Sequence, residues 1–417
     1  MTTEEKPTAE AQIGIDSGQL LVDGHESTLS GSMDDMLAEA LQRIRLVAGI
    51  QRKDILASIQ QPSGHQLLLI HPDGNVEEQP AETADDSPAS PSPTEHDASA
   101  TQTTAKTPGI AQHARHSFLS NHQAEEPAKQ GWRGTLTRMG LRMAPSTQER
   151  AERTDVFRVS QHWPGPRTIV IANGKGGAGK TPTVALLSAV FARYGGGPVL
   201  AWDANQTRGT LGWRTEQGPH DKTSLDLLPQ VTRLLGTSSQ SADLDHYVHH
   251  QTDDRYDVLR SQPLALASDQ RIGPKDIDGI WQVAAKYYRL VFVDTGNDES
   301  DLAWQRVIDH ADQLVVATTT RDDHAEAGAL LLEALRNRDQ HSATLADGAV
   351  AIINQADPRA AAEEISRIHD GFADLTRAAV TIPWDSAMVD GWLKWGTLHA
   401  ATQRAWLTAG SAVAEGL

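Results

Sequence analysis

Cysteine is absent from all 417 residues. Disulfide staples, thiolate zinc sites and cysteine nucleophiles are thereby excluded, and a cytoplasmic location fits the absence. Long apolar runs are missing too: no segment approaches the roughly 20 residues that span a bilayer. The first residues, MTTEEKPTAEAQ, carry neither the basic region nor the apolar stretch of a secretory leader. A soluble, non-secreted protein is expected. Positive charge is in deficit, with 37 Lys+Arg against 55 Asp+Glu and a net charge of -18. That balance argues against coating nucleic acid through overall charge. The deficit is uneven: residues 1–130 hold 20 acidic and 8 basic side chains, which leaves 35 and 29 for residues 131–417.

Residues 12–72 predict a small N-terminal α+β module. AQIGID and QLLVDG have strand composition around an Asp16-Ser17-Gly18 turn, and HQLLLI is strand-like. Between them Met36, Leu37, Leu41, Ile44, Leu46 and Val47 recur at helical spacing. Residues 73–130 are rich in Pro, Ser, Thr, Ala and acids with little to bury, which predicts a disordered linker. In a connector over 131–164, Trp132, Leu136, Met139 and Met143 fall at i, i+4, i+7 and i+11 beside Arg133, Arg138 and Arg142. This pattern suits a basic amphipathic helix for a membrane surface or partner groove. A helix packing back on the next domain is the preferred reading, because Gly131, Gly134 and Gly140 weaken an isolated helix.

Over residues 165–417 strand-like and helix-like segments alternate. RTIVIA, PVLAW, YDVLRS, RLVFVD, QLVVAT, GAVAIIN and AAVTIP are the strand candidates, with helical stretches such as TVALLSAVFARY between them. Continuous apolar strands in such alternation predict an α/β fold, a mostly parallel sheet covered on both faces with ligands at its carboxyl ends. Directly after the first strand stands Gly174-Lys175-Gly176-Gly177-Ala178-Gly179-Lys180-Thr181, a match to G-x-x-x-x-G-K-[ST] between strand and helix. Its glycines turn backbone N–H groups toward phosphate oxygens, and the following helix aims its positive end at the same anion. Lys180 is expected to reach the β and γ phosphates and the Thr181 hydroxyl to ligate Mg²⁺.

The extra lysine, Lys175, makes the loop K-G-G-x-G-K-T. In this the chain resembles the ParA/MinD ATPases, whose deviant phosphate loop carries such a lysine across the dimer interface to the partner's nucleotide. The resemblance spans about residues 165–417. It implies a P-loop NTPase fold, ATP and Mg²⁺ as cofactors, and an ATP-dependent homodimer in which Lys175 acts in trans. It also implies that Asp203, in LAWDANQTRGTL, orients the attacking water beside Mg²⁺. Ala201 stands where the family often has a further aspartate, so slow turnover is expected. Asp294, in RLVFVDTGN, is implied as a Mg²⁺-site carboxylate, with Thr295, Gly296 and Asn297 sensing the γ phosphate. Asn354, Pro383 and Asp385 lie in the segments implied to contact adenine. Pro182 departs from the family's usual Thr or Ser and removes an N–H near the α phosphate, so ATP affinity below that of typical members is expected.

The extension, a GWR-containing connector, IANGKGGAGKTPT, GTLGW and VDTGN together resemble actinobacterial MinD-like ATPases linked to type VII (ESX) secretion. The implied function is a regulatory or positioning ATPase for a membrane machine, cytoplasmic or peripheral at the inner face of the plasma membrane. Its protein partner is reached through the N-terminal module or the connector. Two alternatives stand beside it: a partition ATPase on nonspecific DNA, disfavoured because Glu363, Glu364, Asp370 and Asp374 interrupt Arg359, Arg367 and Arg377, and a non-hydrolysing nucleotide-binding scaffold. His246, His249 and His250 form an HxxHH cluster, for which exposed surface histidines are preferred over a metal site. Among the ten tryptophans, most are expected in the core, with Trp202 and Trp384 lining the nucleotide pocket.

Overall fold

The computed structural model describes residues 9–14, 19–22, 25–28, 39–44, 46–48, 53–61, 64–72, 76–79, 125–205, 209–262, 272–389 and 391–417. Of the disordered linker expected at 73–130, residues 73–75 and 80–124 lie outside the described residues, whereas Val76–Gln79 form a strand and Ala128 is buried in the core of the N-terminal sheet. The chain divides into two compact units, Met1–Arg150 and Ala151–Leu417.

In the first unit β1 (Ala9–Gly14), β2 (Gln19–Val22), β3 (His25–Thr28), β4 (Ile55–Gln61), β5 (Gly64–Ile70) and β6 (Val76–Gln79) form a sheet of order β3-β2-β1-β4-β5-β6. β1 pairs parallel with β4, and the other pairings are antiparallel hairpins. Ile55, Ala57 and Ile59 alternate into the core against Ala11, Ile13, Leu68 and Ile70, the period-2 pattern of a half-buried sheet. A helix, α1 (residues 39–44), adds Ala40, Leu41 and Ile44 to that core.

The connector helix α2 (Gly131–Arg138) ends earlier than its apolar spacing suggests. Leu136, Leu141 and Met143 are buried with the N-terminal sheet, while Met139 is exposed. Within the first unit it packs on the preceding sheet. Gly134 is required by this packing, since a Cβ there would meet the Lys129 carbonyl carbon at 2.3 Å.

α3 (Thr147–Val159) leads into the second unit. There β7 (Arg167–Ala172), β8 (Val199–Asp203), β9 (His249–His250), β10 (Asp257–Leu259), β11 (Leu290–Asp294), β12 (Gln313–Thr319), β13 (Val350–Asn354) and β14 (Ala378–Ile382) form a sheet of order β14-β13-β12-β7-β11-β8-β10-β9. All pairings are parallel except β9 with β10. The mostly parallel α/β fold expected from the alternating segments is the fold observed.

Because side chains alternate along a strand, each central strand feeds two cores. Val170, Leu200, Trp202, Val291, Val293 and Val316 face one side. It is covered by α8 (Pro274–Tyr287), α9 (Leu302–Asp309), α10 (Asp322–Arg338), α11 (Gln340–Asp347) and α12 (Ala362–Leu375), after the short turns α5 (Ser224–Leu227), α6 (Val231–Leu235) and α7 (Ser241–Leu244). Ile169, Ile171, Ala201, Phe292 and Val315 face the other, under α4 (Lys180–Gly195) and α13 (Ala400–Ala414). α4 is buried almost throughout its first three turns; such an all-round apolar helix belongs in a core. Trp406 of α13 is fully buried, so the carboxyl-terminal helix is a packing element. Among the described residues no helix is long and apolar enough to cross a membrane.

Candidate functional site

The phosphate loop turns at the carboxyl end of β7, at the centre of the sheet, and leads into α4. Gly177 and Gly179 hold φ of 80° and 88°, the left-handed region where a side chain is strained. Gly179 is also the residue preceding α4, and a Cβ on it would lie 2.7 Å from Asn354 Nδ2. Asn173 props the loop open from below: its Oδ1 accepts from Lys175 N at 2.9 Å, and its Nδ2 donates to Ala317 O at 2.8 Å and His324 O at 3.1 Å.

Lys180 is buried, yet its ammonium is fully engaged. Nζ donates to Asn173 O and Lys175 O at 2.9 Å each, and to Asn297 Oδ1. Burial lowers its pKa from the ordinary lysine value, against the opposing pull of Asp294 and Glu299. Lys175 differs sharply: it is exposed and its side chain has no hydrogen bond or ion pair among the described residues.

Asp203 and Asp294 end the neighbouring strands β8 and β11 and face each other in register. Both are buried. Burial raises both carboxyls above the ordinary range, and repulsion from Asp294 adds to the rise at Asp203. The Thr181 hydroxyl donates to Asp294 Oδ2 at 2.6 Å and lies 3.1 Å from Thr210 Oγ1. Asp203 accepts from Asn205 N at 3.1 Å and Leu211 N at 3.3 Å. Gly209 is wedged beside it: a Cβ there would lie 1.9 Å from Ser261 Oγ and 2.2 Å from Asp203 Oδ2. A hydroxyl and two carboxylates are hard oxygen donors, the kind Mg²⁺ takes when phosphate and water complete its shell. Among the described residues no group of three or more His, Asp or Glu makes a protein-only metal cage.

Thr295 Oγ1 donates to Ile171 O at 2.9 Å, tying the loop after β11 to β7, and a Cβ on Gly296 would touch Asn205 at 3.5 Å. Asn354, at the end of β13, is buried with neither Oδ1 nor Nδ2 hydrogen-bonded. A buried amide without partners costs free energy unless a ligand answers it, so this orphan fits the edge of a base. Pro182 sits in the first turn of α4, where helices need no N–H. Ala201 points into the apolar core with Phe292, a position hostile to a second aspartate.

The other expected residues fall as follows. The Asp385 carboxylate serves the fold: it accepts from Ala387 N at 3.0 Å and His399 N at 2.8 Å and pairs with His399 Nδ1 at 3.1 Å. Pro383 lies between β14 and that turn. Trp202 is a core side chain of the α8-side cluster and not a pocket wall. Trp384 is half-buried, its backbone N–H donating to Gln355 Oε1 at 3.3 Å. His249 is fully buried in β9, its Nδ1 accepting from Gly218 N at 2.9 Å and its Nε2 3.1 Å from Lys222 O. Its ring centroid lies 4.4 Å from that of His220, so this histidine is structural and neither surface nor ligand. Asn173, Thr210, Ser261, Glu299 and His324 border the site without having been read from the sequence. Glu299 comes within 2.6 Å of where a Gly174 Cβ would lie.

A mostly parallel sheet with a glycine-rich phosphate loop at its central strand defines the class, a P-loop NTPase fold, and the second lysine in that loop is the feature in which the chain resembles the ParA/MinD ATPases. No family model matches the chain. Among curated proteins it is similar to the ESX-1 secretion-associated protein EspI of Mycobacterium tuberculosis, strains CDC 1551 / Oshkosh and ATCC 25618 / H37Rv, at 27% identity over 274 residues. That alignment covers 63% of this chain and spans 39% of the length of those relatives. Among solved structures it is similar to a ParA family ATPase from Chlorobium tepidum TLS, with 20% identity, a TM-score of 0.48, and coverage of 59% of this chain and 98% of that one. A cell division ATPase MinD of Pyrococcus furiosus gives 17% identity and a TM-score of 0.45, covering 60% and 98% of the two chains.

Proposed function

We propose that this chain is a Mg²⁺-dependent ATPase of slow turnover that works as an ATP-controlled dimerisation switch and regulates or positions a membrane-associated complex. The observation that carries the reading is one convergence. The Lys180 ammonium, the Thr181 hydroxyl and the Asp203 and Asp294 carboxylates meet at the carboxyl ends of three adjacent strands, with Lys175 exposed and unpaired on the same loop. Bound Mg²⁺ would supply charge neutralisation for the phosphates, held by Thr181 and Asp294. Lys180 would exchange its Asn297 contact for a phosphate oxygen, and Asp203 would orient water. Asn354 would read the adenine edge.

A role in trans for Lys175 accords with its lack of a side-chain acceptor among the described residues. The name of the mycobacterial relatives supports ESX-1, a type VII secretion system, as the machine concerned, with the N-terminal unit or the 131–143 segment as the route to a partner. The bases of α12 and β14 offer little support for DNA binding, since Arg367 pairs with Asp322 and Arg377 lies 3.7 Å from Glu415.

Light scattering of the wild type and Asp203→Ala with ATP, ADP and no nucleotide tests the reading. An ATP-dependent dimer that persists in the variant is expected, and a monomer under all conditions would overturn it. Lys175→Ala should keep nucleotide and lose dimerisation, whereas Lys180→Ala should lose nucleotide.

A further inference from the structure

His324 lies in the first turn of α10, and the residue is more than nine-tenths buried. A Cβ placed on Gly177 would lie 3.7 Å from His324 Cε1 and 3.9 Å from Nε2, so the Nε2 edge faces the loop. The other ring nitrogen is spoken for: Nδ1 lies 2.8 Å from Thr319 Oγ1. That hydroxyl accepts from Arg321 N at 3.2 Å, and among the described residues Nδ1 is the acceptor within reach of its own proton, a pairing that leaves Nδ1 bare. The ring proton then resides on Nε2, which has no hydrogen-bond partner among the described residues. The backbone is anchored as well, His324 O accepting from the same Asn173 amide that holds Lys175 N.

The surroundings disfavour the charged imidazolium. Burial lowers its pKa from the ordinary histidine value, Arg321, Lys175 and Lys180 act in the same direction, and Asp323 opposes them. A neutral, oriented N–H at a turn built for phosphate is a donor without an acceptor.

We propose that His324 is a further nucleotide-binding residue, donating its Nε2–H to the polyphosphate of the nucleotide at the Gly177 turn. The proposal rests on the reading that the phosphate loop binds a nucleotide. It assigns to α10 a wall of the phosphate site that the loop motif does not include, and it makes the Thr319 hydroxyl the group that fixes the tautomer.

Calorimetric titration of the full chain with ADP and with adenosine, in Mg²⁺, tests it. His324→Leu keeps the volume and removes the donor, and should weaken ADP by about tenfold or more, the usual worth of a hydrogen bond to a charged group, with adenosine unchanged. His324→Gln, whose amide still donates, should retain most of the affinity. Equal ADP affinity in wild type and His324→Leu, or equal losses in both variants, would overturn the proposal. In the wild-type protein, ring-nitrogen NMR should show the Nε2–H tautomer, with a resonance that moves on adding ADP and not on adding adenosine; a resonance that ignores ADP overturns it independently of any variant. A folded wild type that binds no ADP would overturn the nucleotide-binding reading itself, whereas binding undisturbed by His324→Leu overturns only this proposal.

Discussion

Replacing Asp203 by asparagine should make the nucleotide-free protein less sensitive to rising pH. Asp203 and Asp294 are buried face to face on adjacent strands; burial raises both carboxyls, and repulsion from Asp294 adds to the rise at Asp203. A carboxyl whose folded-state pKa lies above its unfolded value binds its proton more tightly in the fold. The stability this contributes is present below the ordinary carboxylate range and is lost as pH rises through the raised values. One proton retained between pH 5 and pH 8, where an unfolded chain retains none, corresponds to about 1.4 kcal/mol per pH unit, or about 4 kcal/mol over the window. The two carboxyls titrate as a pair and ionise progressively, so a slope difference of about 2 kcal/mol between wild type and Asp203→Asn is expected.

The substitution also has a fixed cost. Asp203 accepts from Asn205 N and Leu211 N through different oxygens, and an amide keeps only one acceptor, a loss of about 1–3 kcal/mol that does not vary with pH. The assay is therefore denaturant unfolding in EDTA at pH 5, 6, 7 and 8, in which the offset and the slope separate. Millimolar Mg²⁺ should flatten the wild-type slope, because a cation favours the ionised carboxylates. Wild-type and variant stabilities that run parallel across the range would refute the reasoning.

At Gly209, alanine would place its Cβ 1.9 Å from Ser261 Oγ and 2.2 Å from Asp203 Oδ2, and the pinned carboxylate would have to leave its place. ATP turnover should fall by about a hundredfold while ADP binding is retained; unaltered turnover in a kinetic assay would count against a role for Asp203. His249 is driven down to about 4 by burial, so the stability that depends on its neutral form is complete above the ordinary histidine value and drains away as pH falls toward 4. Unfolding at pH 5 and 7 should show wild type losing about 2 kcal/mol relative to His249→Asn, and an equal response in both proteins would contradict a buried neutral ring. Asp385→Ala leaves Ala387 N and His399 N without an acceptor and should destabilise by about 2–3 kcal/mol with ADP affinity unchanged by titration. The opposite pattern would return Asp385 to the nucleotide site.

How much of this was legible depends on the range over which each residue acts. The phosphate loop is written locally, strand, glycines, Lys-Thr and helix in a single run, and the alternation of apolar strands with helices was enough for a mostly parallel sheet. β4 was missed although Ile55, Ala57 and Ile59 alternate, because the segment follows a helical stretch without strong turn residues. β9 is only two residues long, too short for any periodicity. Trp202 looked like a pocket residue from its place next to Asp203, but successive strand side chains point to opposite faces, and Trp202 falls on the core side. His324 and Asn173 carry no local signature: each matters through a contact to chain about 150 residues away in sequence or to a loop whose shape the sequence does not display. The Asp385 carboxylate sits at a strand end, as site aspartates do, and only its two backbone donors distinguish a cap from a ligand.

The three acceptors around Lys180 have a consequence for exchange. A buried ammonium stripped of its partner would have to wait for solvent, and a departing nucleotide would leave behind a costly bare charge. Here the Asn297 oxygen stands ready to take the ammonium back as the phosphate leaves, so the protein is its own resident ligand. On the proposed reading, affinity for nucleotide would be a difference between two occupants of one cation, and Asn297, on the loop after β11, would be the group that a phosphate displaces.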